Sequence, residues 1–359
     1  MKPLILWSFV IPLSFGFQPA PKPADLPFTL TWLQGKCIGC KIGGDLESIQ
    51  FTTPSEAWGV SHAWPPPGGQ GLGEYIVVHS KDAGRNWTEI PYTQVHAAPP
   101  DVSFLDPENG WLSWLEVVRA EFRLQRTRDG GKTWRDVRLG IDAIPEFVDS
   151  SHWYAVDERR FMATDDAGET WRAAQVPLLQ YVTQMFFLSP DVGWIVSTDL
   201  NAVAVSRTAD GGRTWAESQV TTTVRSSQVA DLFFVNAMRG WLIVEHGSDE
   251  HGQDNGSDLF STVDGGEIWT PEQDRSFQGA GHHLRPVRFL SERVGFIFDW
   301  ENTQAVVRST LIYTADGGLH WRESPIPRFV SDCQIFKGEL RCSASDANSG
   351  FWVLTIHVK

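Results

Sequence analysis

Six times the chain writes the same octapeptide, hydroxyl-x-Asp-x-Gly-x-x-Trp: Ser80–Trp87, Thr127–Trp134, Thr164–Trp171, Thr208–Trp215, Thr262–Trp269 and Thr314–Trp321. Each copy lies between short β-branched or aromatic runs, such as Tyr75–His79 before the first and Trp87–Ile90 after it. The pattern is strand, turn, strand. The aspartates (Asp82, Asp129, Asp166, Asp210, Asp264 and Asp316) can accept backbone N–H groups further along and close an Asx-type turn. The glycine two residues on supplies a backbone position with positive φ. The hydroxyl is expected to satisfy the second carboxylate oxygen. The tryptophan (Trp87, Trp134, Trp171, Trp215, Trp269, Trp321) packs over the turn, with its N–H on a local acceptor. Every position has a structural job, so six aspartates in six equivalent turns are scaffold and none is assigned to catalysis.

The Asp-to-Asp spacings from those positions are 47, 37, 44, 54 and 52 residues, a period that predicts β-propeller blades. A second pattern precedes each octapeptide: a Phe-rich strand, a short turn, then Gly-Trp or a variant. Examples are Val102–Trp111, Met185–Trp194, Leu232–Trp241 and Val287–Phe296. The variants are Ala57-Trp58-Gly59 in the first repeat and His152-Trp153 in the third. Trp58, Trp111, Trp153, Trp194 and Trp241 are therefore expected at the Gly-Trp position. Beyond the sixth octapeptide lie three more strand-like runs, Phe329–Phe336, Gly338–Ser343 and Gly350–Val358, and Phe28–Leu33 is an orphan strand near the N-terminus. The predicted fold is all-β: a seven-bladed propeller of four-stranded antiparallel blades, its ring closed by the N-terminal strand plus the C-terminal strands. Six blades with a C-terminal appendage is the alternative.

The octapeptides are those of Asp boxes, or bacterial neuraminidase repeats, which occur in sialidases, sortilin-like receptors, xyloglucanases and photosystem II stability/assembly factors. The pairing of F-x-D…GW with T-x-DGG-x-TW in each repeat resembles the photosystem II assembly-factor type. The resemblance spans nearly the whole chain after its leader. It implies a scaffold that binds a protein or peptide and assists assembly or stability of a membrane-associated complex.

Residues 1–16 are predicted to be a secretory signal peptide: Lys2, then an apolar stretch from Leu4 to Phe17 too short for a comfortable membrane span. Residues 17–27 form a Pro-rich linker, and 28–359 a single domain. Export to a periplasmic or extracellular space follows, with no integral membrane segment in the mature chain. The formal charge is −14, with the basic residues scattered, which excludes nucleic acid as a partner. Cys333 and Cys342 flank the two-residue turn Lys337-Gly338 and fall opposite each other at a hairpin position where side chains come closest, predicting a disulfide. Cys37 and Cys40 are left to pair with each other. A four-thiolate zinc site and crossed disulfides stay open as alternatives.

Antiparallel order puts the octapeptide turns on one face and the variable loops on the other, and loops on a rigid scaffold carry function. Three loop regions stand out. His62 and Trp64 lie beside three prolines in Ser61–Gly73; His282, His283 and Arg285 lie near Trp300; and Glu245–Asp258 carries His246, Asp249, His251 and Asp254. The last group is a weak candidate for Ca²⁺ or a transition metal; otherwise no cofactor is expected. An enzymatic reading is disfavoured. A sialidase needs three arginines for a carboxylate and a Tyr nucleophile with a Glu partner, and Ile326-Pro327-Arg328-Phe329 does not match the family's Arg-Ile-Pro segment. A glycan-binding or glycoside-hydrolysing propeller is the alternative function.

Overall fold

A computed structural model describes residues 26–40, 44–63, 74–90, 100–116, 121–138, 140–141, 143, 145–157, 160–177, 180–199, 202–220, 227–246, 256–272, 282–302, 307–345 and 350–359. Every regular element among them is a strand. The strands form five four-stranded sheets and one eight-stranded sheet. We number them in chain order: sheet I is the eight-stranded one, and sheets II to VI begin at Asp101, Glu146, Tyr181, Ser227 and His282. Within each of sheets II to VI, four consecutive strands pair as an antiparallel meander. This is the architecture of a β-propeller.

Sheet I holds both ends of the domain. Its early half is the meander Asp45–Phe51, Ala57–Ala63, Glu74–Ser80 and Asn86–Ile90. Its late half is Phe329–Phe336, Glu339–Ser345 and Phe351–Val358, completed by the N-terminal strand Phe28–Cys37, which pairs antiparallel from Phe28↔Val358 to Gly35↔Phe351. The N-terminal strand thus closes on the C-terminal ones, as predicted. The two halves join through a two-residue parallel contact, Lys36↔Asn86 and Cys37↔Trp87. Gly35 makes this contact feasible: a Cβ there would lie 2.2 Å from the Gly84 carbonyl oxygen. Cys37–Cys40 and Cys333–Cys342 are disulfides. Cys333 faces Cys342 across the hairpin at a Cα separation of 4.1 Å, and Lys337 and Gly338 at its tip both have positive φ.

The octapeptide turns share one geometry. In all six, the hydroxyl donates to Asp Oδ1 and accepts the N–H of the glycine four residues on. The same Oδ1 accepts the N–H of the seventh residue, as from Thr214 at 2.9 Å. The hydroxyl therefore shares Oδ1 and leaves Oδ2 free, contrary to the sequence expectation. Oδ2 is satisfied instead by the seventh side chain: Asn86, Thr133, Thr170, Thr214 and His320. The fifth turn has Ile268 there. The expected local acceptor for the Trp N–H exists for Trp87 and Trp215, at Gly84 and Gly212; the indole nitrogens of Trp134, Trp171 and Trp269 are buried without one. Each turn is also tied to its own sheet, because its fourth N–H donates to the turn between the first two strands, as Gly211 to Asp191 at 2.9 Å. Both turns therefore occupy one face.

The Phe…Gly-Trp pattern now has a physical cause. Phe104, Phe187, Phe234 and Phe289 pair in register with Gly110, Gly193, Gly240 and Gly295. A Cβ on any of these glycines would fall 2.4–2.5 Å from the phenylalanine ring. The next residue then crosses to the following sheet. Trp194 stacks on Phe234 at 3.6 Å, Trp241 on Phe289 at 3.3 Å and Trp58 on Phe104 at 4.2 Å. The octapeptide tryptophan closes the sandwich edge-on, as Trp269 on Phe234 and Trp321 on Phe289. Each such indole buries on the order of 200 Å², roughly 5 kcal/mol of gross hydrophobic stabilisation before entropy.

One assignment needs correcting. Trp153 pairs with Phe147 and Thr164, so it stands where the other repeats have glycine. Tyr154 takes the tryptophan's place and stacks on Phe187 of the next sheet at 4.0 Å. Trp153 itself is fully buried, edge-on to Phe147 and Trp111.

Candidate functional site

The first strands of successive sheets are laced by bonds between side chains and backbone. Gln50 exchanges two hydrogen bonds with Phe104. Glu146 accepts from the Phe187 N–H, and Asp231 accepts from Gln184 and from the Val287 N–H. Arg288 reaches the Cys333 carbonyl, and Asp332 and Gln334 accept from Ile49 and Phe51. First strands are thus bonded to their neighbours along an inner wall at each junction but that of sheets II and III, where Asp101 and Glu146 are near enough for their charges to interact. Several of these strands are bulged, at Leu46/Ser48, Val229/Asp231, Leu284/Val287 and Val330/Asp332, and the Leu284/Val287 bulge leaves the Val287 N–H for Asp231.

Carboxylates outnumber cations on this inner wall. Burial pushes Glu146 up to about 8, with the nearby charge of Asp101 adding to the shift and the Phe187 N–H opposing it. Asp101 and Asp332 are likewise raised, first by burial and then, for Asp101, by the charge of Asp332. Asp101 is open to solvent and yet walled by protein, the situation of a group in a narrow aqueous channel. Asp231 is paired with Arg288 at 2.6 Å.

On the face away from the octapeptide turns, this wall opens into a cavity of about 470 Å³ lined by Glu47, Arg285, Trp300, Phe329, Val330 and Ser331. The residues come from both halves of sheet I and from sheet VI. Trp300 forms the floor: it pairs in register with His283, stacks on its ring at 4.6 Å, and meets Phe329 edge-on at 6.2 Å. Glu245, from sheet V, lies 3.7 Å from His283 Nδ1 and 3.6 Å from Arg285. Across the mouth, Glu47 lies 3.2 Å from Nδ1 of His62, whose buried ring stacks on Tyr75 at 4.3 Å. Burial raises the Glu47 pKa, the charge of His62 opposing and that of Asp45 reinforcing. The result is an apolar aromatic floor with one cation and one carboxylate on its rim.

Four sequence candidates therefore converge. Arg285 and Trp300 line the cavity, His283 stacks on Trp300, and His62 sits behind Glu47. Trp64 and the side chain of His282 lie outside the described residues, as do Asp249, His251 and Asp254. His246 is buried with Nε2 2.9 Å from Asp258, and among the described residues there is no group of three metal-ligating side chains. Glu47, Phe329 and Val330 were missed. Nothing local marks them, since they meet only when the chain closes. Among the described residues, no helix is long and apolar enough to cross a membrane.

No protein-family model matches the chain. Over 271 residues it is 24% identical to the photosystem II assembly lipoprotein Ycf48 of Synechococcus sp. (strain CC9902), covering 65% of this chain and 77% of that one. Its fold is similar to that of YCF48 bound to D1 peptide, with a TM-score of 0.63 and 15% identity over 94% of this chain and 96% of that one. YCF48 from Cyanidioschyzon merolae gives 0.61 and 15% over 91% and 98%. The GH74 xyloglucanase from Xanthomonas campestris gives 0.56 and 15%, but this chain spans only 53% of that enzyme. What the structural comparisons share is the fold.

Proposed function

We propose that the chain is an exported, non-enzymatic, seven-bladed Asp-box propeller that binds a protein or peptide at the loop-face cavity and assists assembly or stability of a membrane-associated complex. The seven blades are sheets II to VI and the two halves of sheet I; residues 1–16 are the signal peptide, 17–27 the linker and 28–359 the propeller. One observation carries the reading. Residues far apart in sequence, Glu47, Arg285, Trp300 and Phe329, meet in one amphipathic cavity at the mouth of the ring. Aromatic floors with few rim charges suit a peptide: side chains stack on Trp300, and Arg285 and Glu47 take backbone or terminal polar groups. Two supports come from relatives. The similarity to Ycf48, a photosystem II assembly lipoprotein, runs through most of both chains, and a YCF48 of like fold is bound to D1 peptide.

No cofactor is part of this function. The glycan alternative gains nothing from the cavity, whose described lining includes one arginine where a sialidase needs three. The test is crosslinking and co-purification from the native envelope, with Trp300→Ala and Arg285→Ala compared with the unaltered protein. One reproducible partner lost in both variants is expected. A partner retained in both, at unchanged melting temperature, refutes the site; recovery of the protein alone refutes the binding role.

A further inference from the structure

A second site lies on the opposite face, independent of the peptide-binding reading. In a chain of formal charge −14, Arg126, Arg128, Arg135 and Arg138 line a single cavity of about 750 Å³ between sheet II and the octapeptide turn of sheet III. The sequence reading of scattered basic residues is thereby corrected: all four come from thirteen consecutive positions, 126–138. Among the described residues, none of the four makes an ion pair, whereas neighbouring Arg123 pairs with Glu116 and Glu121. Arg126 and Arg135 stand directly opposite each other across two adjacent strands, an arrangement that costs stability when both are charged.

Arg126 is held in place before any ligand arrives. Its guanidinium lies over the Trp111 ring at 5.1 Å, and its Nε is buried without a partner. Burial and then the charge of Arg128 lower its pKa. The two carboxylates at the cavity, Asp129 and Glu169, do not neutralise the cluster. Four positive charges against two negative ones leave +2, and both oxygens of Asp129 are already taken by Thr127 and Thr133. Planar guanidinium forks of this kind match tetrahedral oxyanions, with two parallel N–H···O bonds to each.

We propose that this cavity binds a dianionic phosphate or sulfate group, with Arg126 as the fixed anchor and Arg128, Arg135 and Arg138 closing around the anion. The group can be a soluble phosphate or the headgroup of an anionic lipid, and the chemistry of recognition is the same.

The full chain is titrated with sodium phosphate, and separately with sodium chloride at matched ionic strength, by isothermal titration calorimetry. Saturable binding of one phosphate is expected, weakened about tenfold or more in the double variant Arg135→Ser/Arg138→Ser and unchanged in Arg322→Ser, an arginine of the last strand of sheet VI that does not line the cavity. A parallel thermal melt shows phosphate raising the melting temperature of the unaltered protein but not of the double variant, which also establishes that the variant is folded. No saturable heat, an equal response to chloride, or full affinity in the double variant overturns the proposal. Flotation with vesicles of phosphatidic acid in phosphatidylcholine, whose phosphomonoester can carry two charges, and of phosphatidylcholine alone then separates the sources. Phosphate-competed binding to the former alone identifies a lipid headgroup; phosphate binding without vesicle binding identifies a soluble anion.

Discussion

Carboxylates on the two sides of this ring behave in opposite ways. In the octapeptide turns, hydrogen bonds hold Asp129, Asp166 and Asp210 down at about 2, the seventh-residue threonine hydroxyl contributing most. On the inner wall Glu146 is pushed up to about 8. The turn aspartates lie at the surface, where little burial opposes their charge, and each faces several donors that favour the charged form. The inner acids are walled by protein and face one another, with Arg288 as the cation among them. The same functional group is a fastener in one place and a charge-balancing problem in the other. The difference lies first in burial and then in the number of donors and cations each one meets, not in sequence identity.

The largest expected effect breaks the inner wall. Asp231→Ala strips Arg288 of its carboxylate and the Val287 N–H of its acceptor. Losing one partner of such a part-buried pair costs about 3–5 kcal/mol, read as a shift of the urea midpoint at constant slope. Next comes pH. Glu146 keeps its proton to about 8 in the folded ring but releases it near 4.5 when unfolded. The folded state therefore binds more protons across that window, and its contribution is complete below about 4.5 and lost as pH rises through about 8. Glu146→Gln keeps an acceptor for the Phe187 N–H, and its stability-versus-pH profile is expected to be flatter there. An unchanged profile would mean that Glu146 is charged in the folded state.

The turn face is expected to respond less. Thr208→Val removes the acceptor of the buried Gly212 N–H and a donor to Asp210, a loss of about 1–3 kcal/mol by thermal melting. The sign of the pH effect is reversed here. The aspartates contribute fully above about 3.8, and the contribution of Asp129, Asp166 and Asp210 fades as pH falls toward about 2. The smallest effect sharpens the comparison. Ile268→Thr gives Asp264 the side-chain donor that five other turns possess, a gain of about 0.5–1 kcal/mol. No gain would show that the Thr262 hydroxyl and the backbone donors already satisfy the carboxylate.

Much of this fold was legible because its signals are local. The octapeptide is a self-contained hydrogen-bonded turn, and the hairpin register of Cys333 and Cys342 follows from a two-residue turn. The misplacement of Trp153 was avoidable from spacing. In four other repeats the first-strand phenylalanine precedes the glycine by six residues, as Phe104 precedes Gly110, and Phe147 plus six is Trp153. The seventh position of the octapeptide was equally visible, with Asn, Thr, Thr, Thr and His in five copies, but its role emerges only once the chain turns back on Asp Oδ2.

The sequence by itself determined the repeating unit, the face on which the turns lie and the strands that close the chain, because each rests on contacts within about ten residues or on a periodic pattern. Tertiary structure alone decided the rest. Glu47 meets Arg285 and Phe329 because the ring brings residues more than two hundred positions apart to one mouth. The carboxyls of Asp101, Glu146 and Asp332 are all raised above their ordinary range because three sheets wall them in together. Burial and the charges of neighbours depend on what surrounds a residue in space, and no local pattern in this chain records that.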